Sequence, residues 1–369
     1  GYIWTRVPGE RAKAYMSKYN KEEIELASIK NGKRGEHIIE VENAAKLNIG
    51  MIVRINWYNR EGENSSLIKH MYDNKPIVVG RRHWESPDIP VIKQEVTVEK
   101  IVGNMVTIKE PLLHDLKPEW FPRITNWKHI SEVGIEHICF QFAFEEYYAH
   151  HLEHGYNAIY MTNTAHSWVN NVTIKNGDSG FISDNCANVT VNDVTVTGRK
   201  YHYAVQFGDC YNMLAKNIQV KAHVLHSLSF NTGARSCVFT NSIVTRVPSL
   251  DQHSGANHQN LFDNIKIIED DPGRSFIYAG GAGYWAPTHG AFSTFWNTQI
   301  QFAYDNHDGQ AIKIAGVTDG PSARLVGLIA NYPMEITYGP DAYMEGINRP
   351  DIAVPSLYEY QLKQRLASK

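Results

Sequence analysis

A short phrase that recurs through the middle of the chain limits its fold more than any other feature. Between residues 157 and 267 a polar pair containing Asn is followed by an aliphatic step. The copies are Asn170-Asn171-Val172-Thr173-Ile174, Asn192-Asp193-Val194-Thr195-Val196, Lys216-Asn217-Ile218-Gln219-Val220, Asn241-Ser242-Ile243-Val244-Thr245 and Asp263-Asn264-Ile265-Lys266-Ile267. Anchored on Val172, Val194, Ile218, Ile243 and Ile265, they lie 22, 24, 25 and 22 residues apart. A second beat, Ile159, Ile182, Val205 and Phe230, has spacings of 23, 23 and 25. Two short alternating strands per period, separated by Asn/Gly turns, describe the coil of a solenoid. Stacked coils pair each strand with its equivalent one coil away, at ~4.8 Å. The Leu-rich consensus of the rival leucine-rich solenoid is absent. The expectation is an all-β chain built as a parallel β-helix.

The flanks differ. The 369 residues are enough for one large or two ordinary domains with a sizeable core. Residues 1–30 show no clean period and are left as an unassigned lead-in to the β-helix. Strand-like runs at 37–41, 51–55, 96–101 and 105–108 are irregularly spaced, with Val102-Gly103-Asn104 turning between the last two. Residues 31–120 therefore read as a small antiparallel barrel or sandwich, with a long polar loop over 58–88. The β-helix is expected over 121–369. Ile138 precedes Val172 by 34 residues, and Ile300 follows Ile265 by 35. Both coils are overlong, so 139–156 and 278–290 read as loops leaving the solenoid. A last coil is expected at 325–329. Residues 356–366 read as a short amphipathic helix, N-capped by Ser356, covering the open end.

Composition excludes several classes. A net charge of −3 with 20% charged residues gives no electrostatic footprint for nucleic acid or a membrane surface. No apolar run reaches the roughly 18 residues of a membrane span. Gly1-Tyr2-Ile3-Trp4 is neither a signal peptide nor an initiator Met, which marks a mature chain or a fragment. Cys186 and Cys210 each lie eight residues before an anchor. They are expected to stack about 5 Å apart, within reach of a disulfide, although an interior pile of free thiols is the favoured reading. Of the sequons at Asn64, Asn171 and Asn188, two fall inside the repeat, which explains them without glycans.

The repeat, together with Gly155-Tyr156-Asn157-Ala158-Ile159, Trp168-Val169, Asn176-Gly177-Asp178-Ser179-Gly180 and Leu357-Tyr358-Glu359-Tyr360-Gln361-Leu362, resembles the pectate-lyase-like superfamily. More narrowly it resembles a bacterial branch with an inserted β domain, over about residues 125–369. The resemblance implies a right-handed single-stranded parallel β-helix with a small N-terminal antiparallel β insertion and a short C-terminal helix. It also implies action on an extracellular polysaccharide and a secreted or periplasmic location. It is specific for fold and not for reaction, because the superfamily holds lyases, hydrolases, epimerases and binding proteins. The Gly-rich, Asp-Asp start of such β-helices is missing here, which implies coils ahead of residue 1 that this sequence lacks.

A solenoid places function where equivalent positions of adjacent coils line up on one flank. His202, His226 and Asp251 each lie eight residues past an anchor, so one ionisable column is expected. Asp178, six past Val172, joins it if its coil is shorter. Around the column stand Arg199, Lys200, Tyr201, Tyr203, His223, Gln252, His253 and His258. The two loops add His150, His151, His154, Tyr284, Trp285 and His289, with Tyr147 and Tyr148 as further sugar-stacking candidates. A solvated polar ladder and ordinary loop packing are the bland alternatives. Three ionisable groups in register between two long loops favour a site. Gly280-Gly281-Ala282-Gly283 lacks the Lys-Ser/Thr ending of a phosphate loop.

Three chemistries fit these residues. β-Elimination on a uronate-containing polysaccharide needs a cation for the carboxylate (Lys200 or Arg199), a base for the C5 proton (His202 or His226) and an acid for the leaving oxygen (Tyr201 or Tyr203). Glycoside hydrolysis would use Asp178 and Asp251, roughly 14 Å apart at the strand spacing, which is long even for an inverting pair. Asp184, Glu153 or Asp263 could replace one of them. A metal site from His202, His226, Asp251 and His253 has suitable ligands but no ligand motif. No cofactor is assigned, with a divalent cation such as Ca²⁺ left open. Basic and imidazole groups dominate, so a lyase is expected. A glycoside hydrolase and a non-catalytic carbohydrate-binding or adhesion solenoid are the alternatives. The expected partner is a polysaccharide, and oligomeric state is not legible.

Overall fold

The computed structural model describes residues 2–7, 23–73, 87–281, 286–306, 308–315, 319–350 and 352–367. They divide into two units, residues 1–6 with 130–369 and residues 7–129.

In the larger unit, β-branched residues on alternate positions give extended segments, and Asn or Asp between them lets the chain turn. Among the described residues, one parallel sheet runs Ile3–Thr5, Asn157–Thr162, Ser179–Asp184, Tyr201–Gly208, Val224–Phe230, Leu250–Gln252 and Ile277–Tyr278. A second parallel sheet carries Thr164–Lys175, Ala187–Thr197, Val238–Val244 and Leu261–Glu269 and continues to Tyr343–Glu345. The architecture is a parallel β-helix. Its interior is apolar, with Phe230, Phe262 and Phe295 in a row at centroid distances of 4.6 and 5.0 Å. Cys186, Cys210 and Cys237 are buried free thiols.

The repeated Asn has a backbone cause. Asn171, Asp193, Asn217, Asn241, Asn264 and Asn297 all have φ between 48 and 58°. That left-handed conformation is costly for L-residues and is tolerated best by Gly, Asn and Asp. Their amides also bridge coils. Asn217 Nδ2 donates to Asn192 Oδ1 at 3.0 Å, Asn264 Nδ2 to Asn241 Oδ1 at 2.6 Å and Asn297 Nδ2 to Asn264 Oδ1 at 3.1 Å. A second corner repeats the device at Asn188, Asn212, Ser236 and Gln259.

The register corrects the anchors in places. Ile138, Val172 and Val194 pair as expected, and Gln219 pairs with both Thr195 and Ile243. Ser242, not Ile243, therefore stands in the column with Ile218 and Ile265. Its buried hydroxyl donates to Thr240 O at 2.8 Å and accepts from Ile218 N at 3.0 Å, which satisfies it there. In the first sheet the inward column is Ile159, Phe181, Val205, Leu228, Leu250 and Ile277, so Ile182 and Phe230 are off it by one and two residues. Ile300 pairs with Ile267 instead of Ile265.

The smaller unit is a closed antiparallel barrel of Glu25–Asn31, Ile38–Val41, Met105–Ile108, Pro90–Val102, Ile52–Tyr58 and Arg123–Asn126. It thus begins before residue 31 and ends after residue 120. Inside it Arg54 meets Glu95 at 2.7 Å, with both side chains fully buried. The stretch expected as a polar loop contains the helix Ser66–Tyr72, started by Ser65, whose side chain accepts from Ile68 N at 3.2 Å.

The C-terminal helix is Leu357–Ala367, and Ser356 caps it by accepting from Glu359 N at 3.1 Å. None of its residues is fully buried, and Leu357, Tyr358 and Leu362 are half-buried. Its start is clasped by Asp263, which accepts from Ser356 Oγ at 2.5 Å and Leu357 N at 2.8 Å.

The corner account predicts an order of stability. Asn217→Gly keeps the backbone conformation and loses only the amide bridge. Asn217→Ala also incurs the left-handed penalty of about 1–2 kcal/mol. Thermal melts should rank wild type above Asn217→Gly above Asn217→Ala, and an alanine variant as stable as the glycine one would refute the corner argument.

Candidate functional site

The expected single column does not form. Tyr203, not His202, pairs with His226, and Asp251 pairs with Ser229, three residues beyond His226. Counting from the second-sheet anchors crosses a corner whose length differs between coils, and the slip accumulates. The three side chains meet nonetheless, by reaching along and between strands.

The His202 ring lies 5.4 Å from that of His226, and Asp251 gathers His226 and His253. This fully buried carboxylate has Oδ2 at 2.9 Å from His226 Nδ1 and 3.2 Å from His253 Nδ1. Ser229 Oγ donates to Oδ2 at 2.8 Å, and Gly280 N donates to Oδ1 at 2.8 Å. A Cβ on Gly280 would lie 2.0 Å from His253 Nδ1, so only glycine closes the site this tightly. Burial alone would raise the Asp251 carboxyl. The His226 and His253 charges and contacts prevail and hold it well below the usual carboxylate range. His226 packs face to face with Tyr203 at 4.8 Å and edge-on with His253 at 4.6 Å.

The 142–156 loop brings a second group of imidazoles. The His202 ring lies 4.4 Å from His150 and 5.1 Å from His151. Glu153 Oε1 is 3.1 Å from His202 Nδ1 and accepts from Tyr147 OH at 2.9 Å and His151 N at 3.1 Å. Burial, followed by repulsion from the neighbouring imidazoles, pushes His202 down to about 2, so it is neutral at ordinary pH. Burial and the Glu153 contact raise the Tyr147 phenol.

Both groups border one cleft of about 1220 Å³, whose lining includes Tyr147, His150, Lys200, His226, His253 and Arg274. Lys200 Nζ sits 4.9 Å over the Tyr147 ring. Arg274 lies 4.8 Å over the ring of Tyr278, another lining residue. Neither Arg274 nor Tyr278 stands at the offset that singled out the column. Their one sequence signal is position, at the mouth of the second overlong coil.

Other expected site residues serve the fold. Asp178 is buried against Arg199 and accepts from Tyr156 N at 2.7 Å, and Arg199 also lines the cleft. Tyr201 is fully buried, and its hydroxyl donates to Thr197 O at 2.9 Å and Ile174 O at 3.1 Å inside the coil. Tyr203 accepts from Asn231 Nδ2 at 3.3 Å beside the imidazoles. His258 and His289 are buried away from the cleft. His258 Nδ1 lies 2.8 Å from Ala256 O, and His289 Nε2 accepts from Gly320 N at 3.1 Å. Gln252 bonds Tyr338 inside, and Asp184 is buried. Asp263 is the clasp of the C-terminal helix. His154 faces Glu145 at 3.3 Å and Tyr156. Tyr148 is exposed and lines the cleft. Tyr284 and Trp285 lie outside the described residues.

No family model matches the sequence, and no curated protein does. Among solved structures, the chain is similar to the tailspike protein of Pseudomonas phage LKA1 at 12% identity and a TM-score of 0.42, covering 88% of this chain and 61% of that one. It is similar to the tailspike of Acinetobacter baumannii bacteriophage AP22, solved with A. baumannii capsular saccharide, at 9% identity and 0.42, covering 88% and 57%. It is also similar to DFA-IIIase from Arthrobacter chlorophenolicus A6, solved with DFA-III, at 11% identity and 0.35, covering 66% and 61%. The chain thus spans less than two thirds of each of these proteins. Likeness at this level says nothing of activity.

The depressed Asp251 carboxyl makes stability depend on pH. Its ionised form is favoured by the fold, so this contribution is present above the unfolded aspartate value of ~3.9 and is lost as pH falls below it. Urea midpoints of wild type and Asp251→Asn should differ most near neutrality and converge below about pH 4. A gap that stays constant down to pH 3 would show that Asp251 is not held by its imidazoles.

Proposed function

We propose that the chain is a polysaccharide lyase of the pectate-lyase-like superfamily, acting on a uronate-containing glycan outside the cytoplasm. The observation that carries the reading is the buried Asp251 carboxylate behind two cleft-lining imidazoles, with the Nδ1 atoms of His226 and His253 beside one of its oxygens. A buried carboxylate at Nδ1 fixes an imidazole in orientation and tautomer and leaves Nε2 as the atom that accepts a proton.

His226 then takes the C5 proton of the uronate. The C–H electron pair forms the C4–C5 double bond, and the C4–O bond breaks. Tyr278 gives its phenolic proton to the departing oxygen. Lys200 and Arg274, both on the cleft wall, neutralise the uronate carboxylate and so acidify C5. Hydrolysis by two carboxylates is the weaker reading, because the oxygens of Asp178 and Asp251 are already taken by donors within the fold. The carbohydrate-binding solenoid is tested by the same assay.

The test is incubation with a panel of acidic and neutral polysaccharides, read for the ultraviolet band of an unsaturated uronate and for reducing ends. Both signals together are expected from an acidic glycan. Reducing ends without the band would replace the lyase with a hydrolase, and neither signal would leave a binding solenoid. On the responsive substrate, His226→Ala should lower kcat by about 10²–10⁴, the usual contribution of a positioned base, in protein that still folds and melts cooperatively.

A further inference from the structure

We infer that His150, His151 and His202 form a binding site for a transition-metal ion of the zinc class, at the mouth of the cleft. This goes beyond the proposed elimination, since it concerns a different set of side chains and is read without substrate.

The three imidazoles come from two elements about fifty residues apart in sequence, yet each offers a ring nitrogen within 4.8 Å of the others. The His150 and His151 rings are 3.8 Å apart, and both lie near His202. Imidazole nitrogens suit Zn²⁺, Co²⁺, Ni²⁺ and Cu²⁺ rather than the hard, oxygen-seeking Ca²⁺. Three protein nitrogens with one side open to a cleft leave a position for water or substrate.

The environment of His202 is that of a ligand. Metal-binding imidazoles almost always turn their other nitrogen to a carboxylate, carbonyl or water. Here Nδ1 is 3.1 Å from Glu153 Oε1, while Nε2 is buried and has no protein partner. The same carboxylate accepts from His151 N and Tyr147 OH, so Glu153 holds both the strand ligand and the loop that brings the other two. His151 has φ 65°, an unfavourable backbone for a non-glycine residue, and this turn carries the paired imidazoles toward the strand.

The neighbouring set His226, Asp251 and His253 is a poorer host. Ser229 Oγ and Gly280 N already donate to the two Asp251 oxygens, and Gly280 packs against His253 Nδ1 with no room to spare. The His150 ring is nevertheless 6.1 Å from that of His226. On the lyase reading, an ion held by the loop set would add positive charge where the uronate carboxylate docks.

The test uses the full chain stripped with a chelator. Titration with Co²⁺ should give the d–d absorption of a nitrogen-ligated ion at one equivalent, and Zn²⁺ titrated by calorimetry should displace it. His150→Ala and His151→Ala remove exposed side chains that the fold does not need, and each should abolish the Co²⁺ spectrum. Glu153→Gln should keep the ligands and weaken binding about 10- to 100-fold. His154→Ala, outside the set, should bind as wild type. No stoichiometric Co²⁺ or Zn²⁺ binding, or binding unchanged in His150→Ala and His151→Ala, overturns the site. So does loss of the ion on His253→Ala with retention in His202→Ala. Because binding is measured without glycan, an inactive but metal-binding protein would refute the elimination alone.

Discussion

Everything in the β-helix depends on the chain entering a left-handed backbone conformation at the same corner of every coil. Strand hydrogen bonds can stack coils only if each coil returns to the same place, and a corner that opened by one residue would shift the next strand. Asn171, Asp193, Asn217, Asn241, Asn264 and Asn297 meet this demand with side chains that tolerate positive φ, and several bond the coil beneath. Polar residues at the corners therefore define the frame, and the aliphatic columns fill it. The buried Ser242 shows the division of labour, because a hydroxyl can occupy a core column when the frame supplies its partners.

The cleft is built where this regularity is relaxed. Tyr201–Gly208, Val224–Phe230 and Leu250–Gln252 stack as neighbours, and residues 144–151 from the overlong coil before them line the cleft together with Tyr278 and Gly281 from the coil after. Two carboxylates then organise two sets of imidazoles. Asp251 does so from below, at a cost in desolvation that its contacts outweigh, and Glu153 does so from the loop. Neither carboxylate is exposed enough to act on a substrate directly. Each lies beside an Nδ1 atom of the imidazoles it gathers.

Much of this was readable in the sequence. The period gave the coils, the Asn phrase gave the corners, and the overlong coils gave the loops that border the cleft. His202, His226 and Asp251 were singled out by spacing and do lie near one another, although the single column used to find them does not exist. Spacing counts residues, and pairing depends on how many of them a corner consumes. Burial was the other quantity hidden from the sequence. Asp178, Tyr201, His258 and His289 have the chemistry of site residues, but the fold uses their polar atoms internally. Arg274 and Tyr278 were missed because the offset from the second-sheet anchors does not reach them, although Tyr278 pairs directly with Asp251 across the sheet.

The way Asp251 draws on its neighbours has a bearing on how such a chain can change over generations. Most coils touch only the coil above and the coil below through interchangeable corners, so one more or one fewer would leave the remaining ladder intact. The cleft is different. Its buried carboxylate is joined to His226 and Ser229 on the preceding strand and to Gly280 beyond the following one. A duplication inserted there would separate partners that have no substitutes. This block is the part of the ladder whose coil number is fixed, while the solenoid on either side is free to lengthen or shorten.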